Sequence, residues 1–334
     1  MGEPCSKKRA PARKRPSDDK LDMAARAAWL YYVADNTQEE IANKLDVSRQ
    51  AAQRLVALAV SEKLIRFRLD HPLSDCIALA EALRDKFKLS LCDVVPSSLG
   101  AASLQEIRNL QEGIGIRAAT HLETYLEKKL PTTIAFSSGR TLRAMVEQLP
   151  PMNQPQHKIV SIVGNMSHYG KAGRHEVVMH LCDRIGATAY PMPTPVVANS
   201  IKERKLLQTQ QSFEVVESLV KQAKVTFVGI GNVGLNCPLH EHGFINDEEA
   251  AELIELGAIG EIAGWAYNRQ GVLLKKGTNQ RIAGVPLEQP VSRKTIAIAG
   301  GTHKTTAIKA ALSGNLINGL ITDESVAEEI LQKV

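Results

Sequence analysis

The sequence of 334 residues lacks the features that define several classes of protein. Its few cysteines form no CxxC pair, which argues against a disulfide framework or a cysteine zinc site and favours a reducing compartment. No apolar run approaches the ~20 residues of a membrane span, and the polar first residues lack the apolar segment of a secretory signal. We therefore expect a cytoplasmic protein with no membrane partner and no metal. The cysteines are Cys5, Cys76, Cys92, Cys182 and Cys237.

Length and charge indicate a two-domain protein with a basic first part. At 334 residues the chain is long enough for about two domains, and 44% hydrophobic residues support a sizeable core. The net charge of +5 is unevenly distributed. Residues 1–70 hold 14 Lys and Arg against 10 Asp and Glu, whereas the remaining 264 residues hold 27 against 26. A basic first domain favours a nucleic acid as its partner.

Residues 37–56 have the pattern of two short helices joined by a turn. Thr37 and Glu40 have the spacing of a capping box at the start of the first helix. Asp46 lies at the turn, where a short polar side chain tolerates the left-handed conformation, and Ser48 can cap the second helix. The apolar residues that would face inward are Ile41, Ala42, Leu45, Val47, Ala52, Leu55 and Val56. This pattern predicts a helix-turn-helix.

Polar side chains remain on the outer face of the second predicted helix, near its start. Arginine pairs with guanine edges and glutamine with adenine edges, and the first turns of a recognition helix enter the major groove. We therefore predict binding to double-stranded operator DNA; the alternative is an ordinary helical hairpin with a solvated polar face. The predicted DNA-binding residues are Ser48, Arg49, Gln50, Gln53 and Arg54.

The segments on either side of this motif extend the prediction to residues 1–90. Residues 1–19 form a basic, proline-rich tail, which we expect to be disordered and either to lie along DNA phosphates or to have no partner. A helix at 20–35 completes a DNA-binding domain at 20–70. Within it, the alternating run at 65–69 predicts a strand: either the wing of a winged helix-turn-helix or a strand whose arginines are merely solvated.

An amphipathic helix at residues 72–89 predicts a linker that spans 71–90. Its apolar face suits contact with another subunit as well as packing within the chain. Pro72 stands near its start, where the missing N–H of proline costs no hydrogen bond.

From residue 91 to residue 334 short apolar runs alternate with amphipathic stretches. Strands buried on both faces and joined by crossover helices predict an α/β fold, with a mostly parallel, doubly wound sheet. The predicted strands are at 92–96, 133–137, 158–164, 224–231, 295–300 and 316–323. The predicted helices are at 103–128, 140–149, 174–186, 212–223, 247–256, 304–313 and 324–333.

Three loops at the carboxyl ends of these strands are candidates for ligand binding, because open α/β sheets bind ligands there. The loop at 137–141 and the loop at 299–304 each combine a strand, glycine and a helix start, and each adds a basic side chain. Free N–H groups at a helix start bind anions, so the two loops predict a phosphorylated ligand; the alternative is plain tight turns. The predicted residues are Ser137, Ser138, Gly139, Arg140, Thr141, Gly301 and Lys304, with Gly164 and Asn165 in the third loop.

Three other motifs do not fit the chemistry that they suggest. Residues 229–234 match GxGxxG, but Pro238 and no helical period follow, which argues against a dinucleotide; the loop remains a candidate for the same pocket. The spacing at 300–305 does not fit a phosphate-binding P-loop. The sequence His240-Glu241-His242 has no further ligands nearby and favours a solvated loop. We therefore expect no cofactor.

The chain resembles the SorC family of bacterial transcriptional regulators over residues 20–334. The run from AARAAWLYYVADNTQEEIANKL to FRLDHPL and the blocks SSGRTLRAM, LGAIGEIAGWAYNRQG and IAIAGGTHKTTAIKAALSG carry the resemblance. It implies a DNA-binding domain joined to an effector domain similar to phosphosugar isomerases such as glucosamine-6-phosphate deaminase. Family members typically bind a phosphorylated sugar, control a catabolic operon and form tetramers. The effector domain would then be residues 91–334.

Particular residues follow from this resemblance. Ser138 to Thr141 fall on the phosphate-side loop, and Lys304 falls on the ligand-contacting lysine. Asn268 falls where many relatives have an aspartate that contacts sugar hydroxyls, which puts the usual sugar preference in doubt.

The alternative function is a phosphosugar isomerase-like enzyme. Such chemistry needs a positioned general base. Asn268 is a poor base, and no other carboxylate is clearly placed at a strand end. We therefore predict no catalytic residue.

Overall fold

The computed structural model describes residues 18–62, 64–65, 74–97, 104–167, 170–173, 176–235 and 237–332. The chain divides into two compact units, residues 1–70 and residues 71–334, and each is described by itself. The basic tail up to residue 17 and the predicted wing strand beyond Ile65 lie outside the described residues. The finer division into a tail, a DNA-binding domain, a linker and an effector domain stays a prediction.

The first unit contains three helices within its described residues: α1 (Asp18–Tyr32), α2 (Gln38–Leu45) and α3 (Arg49–Ser61). Helix α1 begins two residues earlier than predicted, inside the supposed tail, because Asp18 and Asp19 stabilise a helix N-terminus. It also ends at Tyr32 rather than at residue 35. Alanines of α1 and apolar residues of α2 and α3 form one small core.

The turn between α2 and α3 has the predicted geometry. Thr37 and Glu40 form a capping box, and Asp46 ends α2 in the left-handed conformation with φ 51°. The Ser48 hydroxyl accepts a hydrogen bond from the backbone N–H of Ala51 (3.2 Å). The helix-turn-helix prediction is therefore confirmed at the level of its caps and its turn.

The second unit is built on a parallel sheet. In chain order its strands are β1 (Leu91–Val95), β2 (Thr133–Phe136), β3 (Lys158–Ser161), β4 (Thr188–Tyr190), β5 (Val225–Val228), β6 (Gly231–Asn232), β7 (Ala258–Ile262), β8 (Trp265–Asn268), β9 (Thr295–Ile298) and β10 (Gly319–Asp323). Within the described residues, seven of them form a sheet in the order β1-β10-β9-β5-β2-β3-β4. All of its pairings are parallel, which confirms the predicted α/β class.

The order of strands reverses between β2 and β5. From β2 the chain proceeds to β3 and β4 on one side, and then returns to place β5 on the other side of β2. Ile134 of β2 pairs with Ile159 of β3 on one side and with Val225 of β5 on the other. A crevice forms at such a switch point outside the carboxyl ends of the strands. The loops that follow β2 and β5 therefore border it.

Helices cover both faces of this sheet. In chain order the described helices of the second unit are α4 (Ser74–Phe87), α5 (Leu104–Leu126), α6 (Arg140–Gln148), α7 (Val178–Ile185), α8 (Ile201–Gln208), α9 (Gln211–Gln222), α10 (Pro238–Glu241), α11 (Asp247–Glu255), α12 (Thr305–Ser313) and α13 (Glu324–Gln332). Neighbouring residues of one strand enter different cores: Ile134 belongs to the core that includes residues of α5, α6 and α7, whereas Ala135 belongs to the core that includes residues of α4, α9, α12 and α13. The sheet is therefore doubly wound. Among the described helices, none is both long and apolar enough to cross a bilayer.

The helix predicted as a linker packs within its own chain. Ala80 and Leu83 of α4 are buried in the core that includes α13 and the strand residue Cys92. The two alternatives for its apolar face were contact with another subunit and packing within the chain, and the structure shows the second. Helix α4 is therefore part of the second unit.

A small antiparallel sheet, β6-β7-β8, was not predicted from the sequence. A two-residue turn joins β7 to β8, and both of its residues have positive φ, 52° at Ala263 and 86° at Gly264. This is the backbone of a tight β-hairpin. The sequence signal was weak because β6 has two residues and β8 has four.

Candidate functional site

The predicted DNA-binding side chains lie at the start of α3 and are exposed. Arg49, Gln50, Gln53 and Arg54 all stand on the surface of the first unit. Arg54 Nε donates a hydrogen bond to the backbone oxygen of Gln50 (3.2 Å), which orients its guanidinium along the helix. Ser48 caps the helix with its own side chain. The N-terminal end of α3 therefore presents side chains that can donate and accept hydrogen bonds, as a helix that enters a DNA groove needs.

The second unit has a cavity of about 780 Å³, with solvent at its mouth included, beside the loops that follow β2 and β5. The structure brings six of the predicted effector-binding residues to it: Ser138, Gly139, Arg140, Thr141, Asn165 and Lys304. The other lining residues were not predicted individually. They are Val163, Gly173, Val196, Gly229, Ile230, Gly231, Pro238, Leu239, His242, Phe244, Glu261, Ala263, Gly264 and Ile298.

One wall of the cavity is the N-terminus of α6. Gly139 precedes this helix with φ 151° and ψ 160°, and no side chain caps the helix start. The first N–H groups of a helix have no partner within the helix and carry a partial positive charge. An anion in the cavity can therefore accept hydrogen bonds from the backbone at this end.

Among the described residues that line the cavity, two cations and one carboxylate set its charge. Burial and the neighbouring Arg140 lower the pKa of Lys304 to about 8, against the opposing effect of Glu261. Burial raises the pKa of Glu261, while the N–H of Gly264 and the charge of Lys304 act in the opposite direction. The site therefore has a net positive charge and an anionic acceptor beside it.

Glu261 is the site residue that sequence reasoning missed. It lies on β7, and its Oε2 accepts a hydrogen bond from Gly264 N–H across the hairpin (2.8 Å). The sequence placed no other carboxylate clearly at a strand end, whereas the structure places Glu261 in the lining of the cavity. A signal did exist, because Glu261 is the one charged residue in the otherwise apolar and glycine-containing stretch 258–267.

Asn268 does not reach the cavity. Its Oδ1 accepts hydrogen bonds from the backbone N–H groups of Gln270 (3.1 Å) and Val272 (3.0 Å), so the side chain closes the turn after β8. The assignment by resemblance placed the sugar contact on this strand, whereas the structure places the carboxylate on the neighbouring strand β7.

Three further predicted residues support the loops without lining the cavity. Ser137 is buried, and its hydroxyl accepts a hydrogen bond from Gly229 N–H (3.0 Å), which joins the ends of β2 and β5. The N–H of Gly301 donates to the Asp323 carboxylate (2.7 Å). Gly164 packs tightly against the backbone of the segment that begins at Thr194.

Replacing Gly164 with alanine is expected to destabilise the second unit. An added Cβ would lie 1.9 Å from the Thr194 carbonyl oxygen, so the backbone must move. Overpacking of this kind costs about 1–3 kcal/mol. Gly113→Ala is the control, because nothing lies within 4 Å of its added Cβ in helix α5. Thermal unfolding should show a lower midpoint for the first variant only; equal midpoints would contradict the packing argument.

The glycine-rich loop and the histidine pair have roles other than those that their motifs suggest. Residues 229–231 line the cavity, but residues 231–232 form strand β6 instead of opening a helix, so the dinucleotide geometry is not formed. His240 pairs with Asp247, whereas His242 lines the cavity, so the predicted solvated loop was wrong. Among the described residues, no group of three metal-binding side chains is close enough to hold an ion.

Comparison with known proteins gives one consistent result. The family model described as "Putative sugar-binding domain" matches residues 71–332. The erythritol catabolism regulatory protein EryD of Brucella abortus is 31% identical over 94% of this chain and 97% of its own length. The sorbitol operon regulator of Klebsiella pneumoniae is 27% identical over 95% of this chain and 99% of its own. The crystal structure of that full-length regulator, SorC, covers 95% of this chain and all of its own with a TM-score of 0.69. The chain belongs to the SorC-type family of transcriptional regulators with a sugar-binding domain.

Proposed function

We propose that this regulator controls a carbohydrate or polyol catabolic operon and that a phosphorylated sugar or polyol, bound in the cavity, sets its affinity for operator DNA. The observation that carries the proposal is the pairing of Arg140 and Lys304 beside the uncapped start of α6. The names of the relatives, which regulate erythritol catabolism and a sorbitol operon, support a polyol or sugar operon. A regulator that binds operator DNA works in the cytoplasm.

The groups that line the cavity suit the phosphate, the hydroxyl groups and the carbon chain of such a ligand. A phosphate accepts hydrogen bonds from the α6 N-terminus, from the guanidinium of Arg140 and from the ammonium of Lys304. Hydroxyl groups donate to the carboxylate of Glu261 and exchange hydrogen bonds with the amide of Asn165. Leu239 and Phe244 form an apolar wall against which the carbon chain packs.

Control of DNA binding follows from a shift between two arrangements of a homo-tetramer. The effector favours whichever arrangement binds it more tightly, and the spacing of paired recognition helices changes with it. Titration of the operator with and without a bound effector tests this step. Equal operator affinity with every ligand that binds would refute it.

The first experiment is thermal unfolding with a panel of sugar and polyol phosphates beside their unphosphorylated forms. A ligand at 100 times its dissociation constant stabilises the folded state by about 2.7 kcal/mol, which raises the midpoint measurably. We expect a rise with phosphorylated compounds only. A rise confined to unphosphorylated compounds would assign the anion-binding loops a structural role and refute the phosphorylated effector.

Binding of a phosphorylated effector is expected to weaken above about pH 8. The pKa of Lys304 is lowered to about 8, so the ammonium is present below that pH and is lost above it. An anion favours the protonated form, so each pH unit above 8 should weaken binding by up to about tenfold. Below about pH 6 the phosphate gains a proton and binding weakens again. Calorimetric titration from pH 5.5 to 9.5 measures this profile; constant affinity from pH 7 to 9.5 would contradict it.

The presence of Glu261 in the cavity keeps one alternative function worth testing. A carboxylate whose pKa is raised by burial is a suitable general base for an aldose–ketose isomerase. We propose that the domain is a receptor without turnover, because the chain joins it to a helix-turn-helix. Product analysis after prolonged incubation with each ligand of the panel separates the two functions. The enzyme would be favoured if the protein converted a ligand, if Glu261→Gln abolished this turnover and if Arg49→Ala left it intact.

A further inference from the structure

Helix α8 is unusual in the second unit because none of its residues is buried. Its apolar side chains Ile201 and Leu206 are 44% and 63% exposed. Short helices normally depend on packing of an apolar face for their stability. Helix α8 is nevertheless well capped: Ser200 accepts a hydrogen bond from Glu203 N–H (3.1 Å), and the Glu203 carboxylate accepts one from Asn199 N–H (2.7 Å). The helix is thus held in place while Ile201 and Leu206 face solvent and Leu207 is half-buried.

The inner side of α8 is fixed to residues 277–281. The guanidinium of Arg204 donates to the backbone oxygen of Gln280 (3.2 Å) and lies 5.5 Å from the centre of the Trp265 ring. The backbone just before α8 adds a hydrogen bond from Ala198 N–H to the Arg281 oxygen (2.8 Å). With Arg204 occupied in this way, the outward charges of α8 are Lys202 and Lys205, both exposed.

Helix α11 is attached to the same segment and has the opposite charge. Glu249 forms an ion pair with Arg281, which also donates to the Ala198 oxygen (3.1 Å). The outward side chains of α11 are Glu248, Glu252 and Glu255, together with Ile254, which is 48% exposed. Because Arg281 contacts both α11 and the entry to α8, the two helices are neighbours on one surface. We call residues 201–208 and 247–255 the α8–α11 surface.

The α8–α11 surface carries charges of opposite sign on its two helices, and four of them have no ion-pair partner among the described residues. Among the described residues, no opposite charge lies within ion-pair distance of Lys202, Lys205, Glu248 or Glu252. A two-fold axis uses the same patch on both subunits, so a patch with adjacent basic and acidic helices is complementary to itself. Helix α8 of each copy would meet α11 of the other, with the exposed apolar residues between the charges.

We propose that a second copy of this chain docks on the α8–α11 surface through reciprocal α8–α11 contacts. This inference goes beyond the proposed function, because it assigns the subunit contact to particular residues of the effector domain. A nucleic acid does not fit the surface, because the acidic helix α11 would repel its phosphates. Covering Ile201, Leu206 and Ile254 together would remove three exposed apolar side chains from water.

Charge reversal on the full-length protein tests the proposal by sedimentation equilibrium at low salt. The basic variant is Lys202→Glu with Lys205→Glu, the acidic variant is Glu248→Lys with Glu252→Lys, and the fourfold variant combines them. Lys129→Glu with Lys158→Glu is the matched control, because both lysines are exposed elsewhere on the unit. We expect the basic and acidic variants each to weaken self-association at least about tenfold, and the fourfold variant and the control to associate as the wild type does.

Leu206→Asp provides a second test that does not depend on salt bridges. It should also weaken self-association at least about tenfold, because it places a charge in the centre of the contact. Three outcomes would overturn the proposal. The first is wild-type association in all the reversal variants and in Leu206→Asp. The others are a monomeric wild type and a fourfold variant that remains dissociated. Circular dichroism verifies folding. The thermal shift with effector is measured in parallel, so a failed interface and a failed effector site give different results.

Discussion

Replacing Lys304 with methionine is expected to weaken binding of a phosphorylated effector by roughly 10- to 150-fold. Hydrogen bonds to charged groups contribute about 1.5–3 kcal/mol, and Lys304 and Arg140 are the two cations among the described residues that line the cavity. The loss of Lys304 also lowers the positive charge of the cavity, so the site becomes less favourable for an anion. Isothermal titration with the best phosphorylated ligand of the panel measures the change.

The stability of the free protein separates this effect from simple unfolding. Burial lowers the pKa of Lys304, which means that the charged form is poorly solvated in the folded state. An apolar side chain of similar length avoids this penalty, whereas the buried Glu261 carboxylate loses a nearby positive charge. The two effects oppose each other, so the midpoint of the unliganded variant should stay close to that of the wild type. Lys158→Met is the control, because Lys158 is exposed at the start of β3. Wild-type affinity in Lys304→Met would remove Lys304 from the proposed site.

Replacing Arg49 with alanine should abolish specific recognition of the operator. A bidentate contact between arginine and guanine contributes about 1–3 kcal/mol of discrimination. Two recognition helices bind one palindromic site, so the substitution removes this contact from both half-sites. Arg49 is exposed at the first position of α3, so its removal leaves the fold of the first unit intact. Operator titration at one fixed salt concentration measures the change.

Two controls make the Arg49 experiment decisive. Arg269→Ala removes an exposed arginine of the second unit and should leave operator affinity unchanged. The thermal shift of Arg49→Ala with effector should equal that of the wild type, because the described residues that line the cavity all belong to the second unit. Specific operator binding that survives in Arg49→Ala would show that another element reads the bases.

Local sequence patterns were sufficient for the helix-turn-helix. The capping box of Thr37 and Glu40, the left-handed Asp46 and the Ser48 cap each depend on hydrogen bonds between residues at most a few positions apart. Such interactions can be predicted from the sequence because both partners lie in the same short segment. The same reasoning succeeded for the start of α6, where a strand, Gly139 and a basic residue follow one another directly.

The residues on the small antiparallel sheet could not be assigned in the same way. Glu261 reaches the cavity because the tight turn at 263–264 folds β7 onto β8 and because β6 pairs with β7. Asn268 lies at the far end of the same hairpin, and its side chain accepts hydrogen bonds within the turn that follows β8 instead of reaching the cavity. A side-chain period of two means that a small error in the pairing of short strands changes which residues face a site.

By itself, the sequence determined the helix-turn-helix, the class of the large sheet and the cationic loops at the carboxyl ends of its strands, because apolar periodicity, caps and glycine turns act over short distances. Only the tertiary structure decided which groups meet. It brought Glu261 to Lys304 across 43 positions, and it left Ser137 and Gly301 to support the loops. It also placed the basic helix α8 beside the acidic helix α11. Contacts between distant segments depend on strand order and packing, which no local pattern encodes.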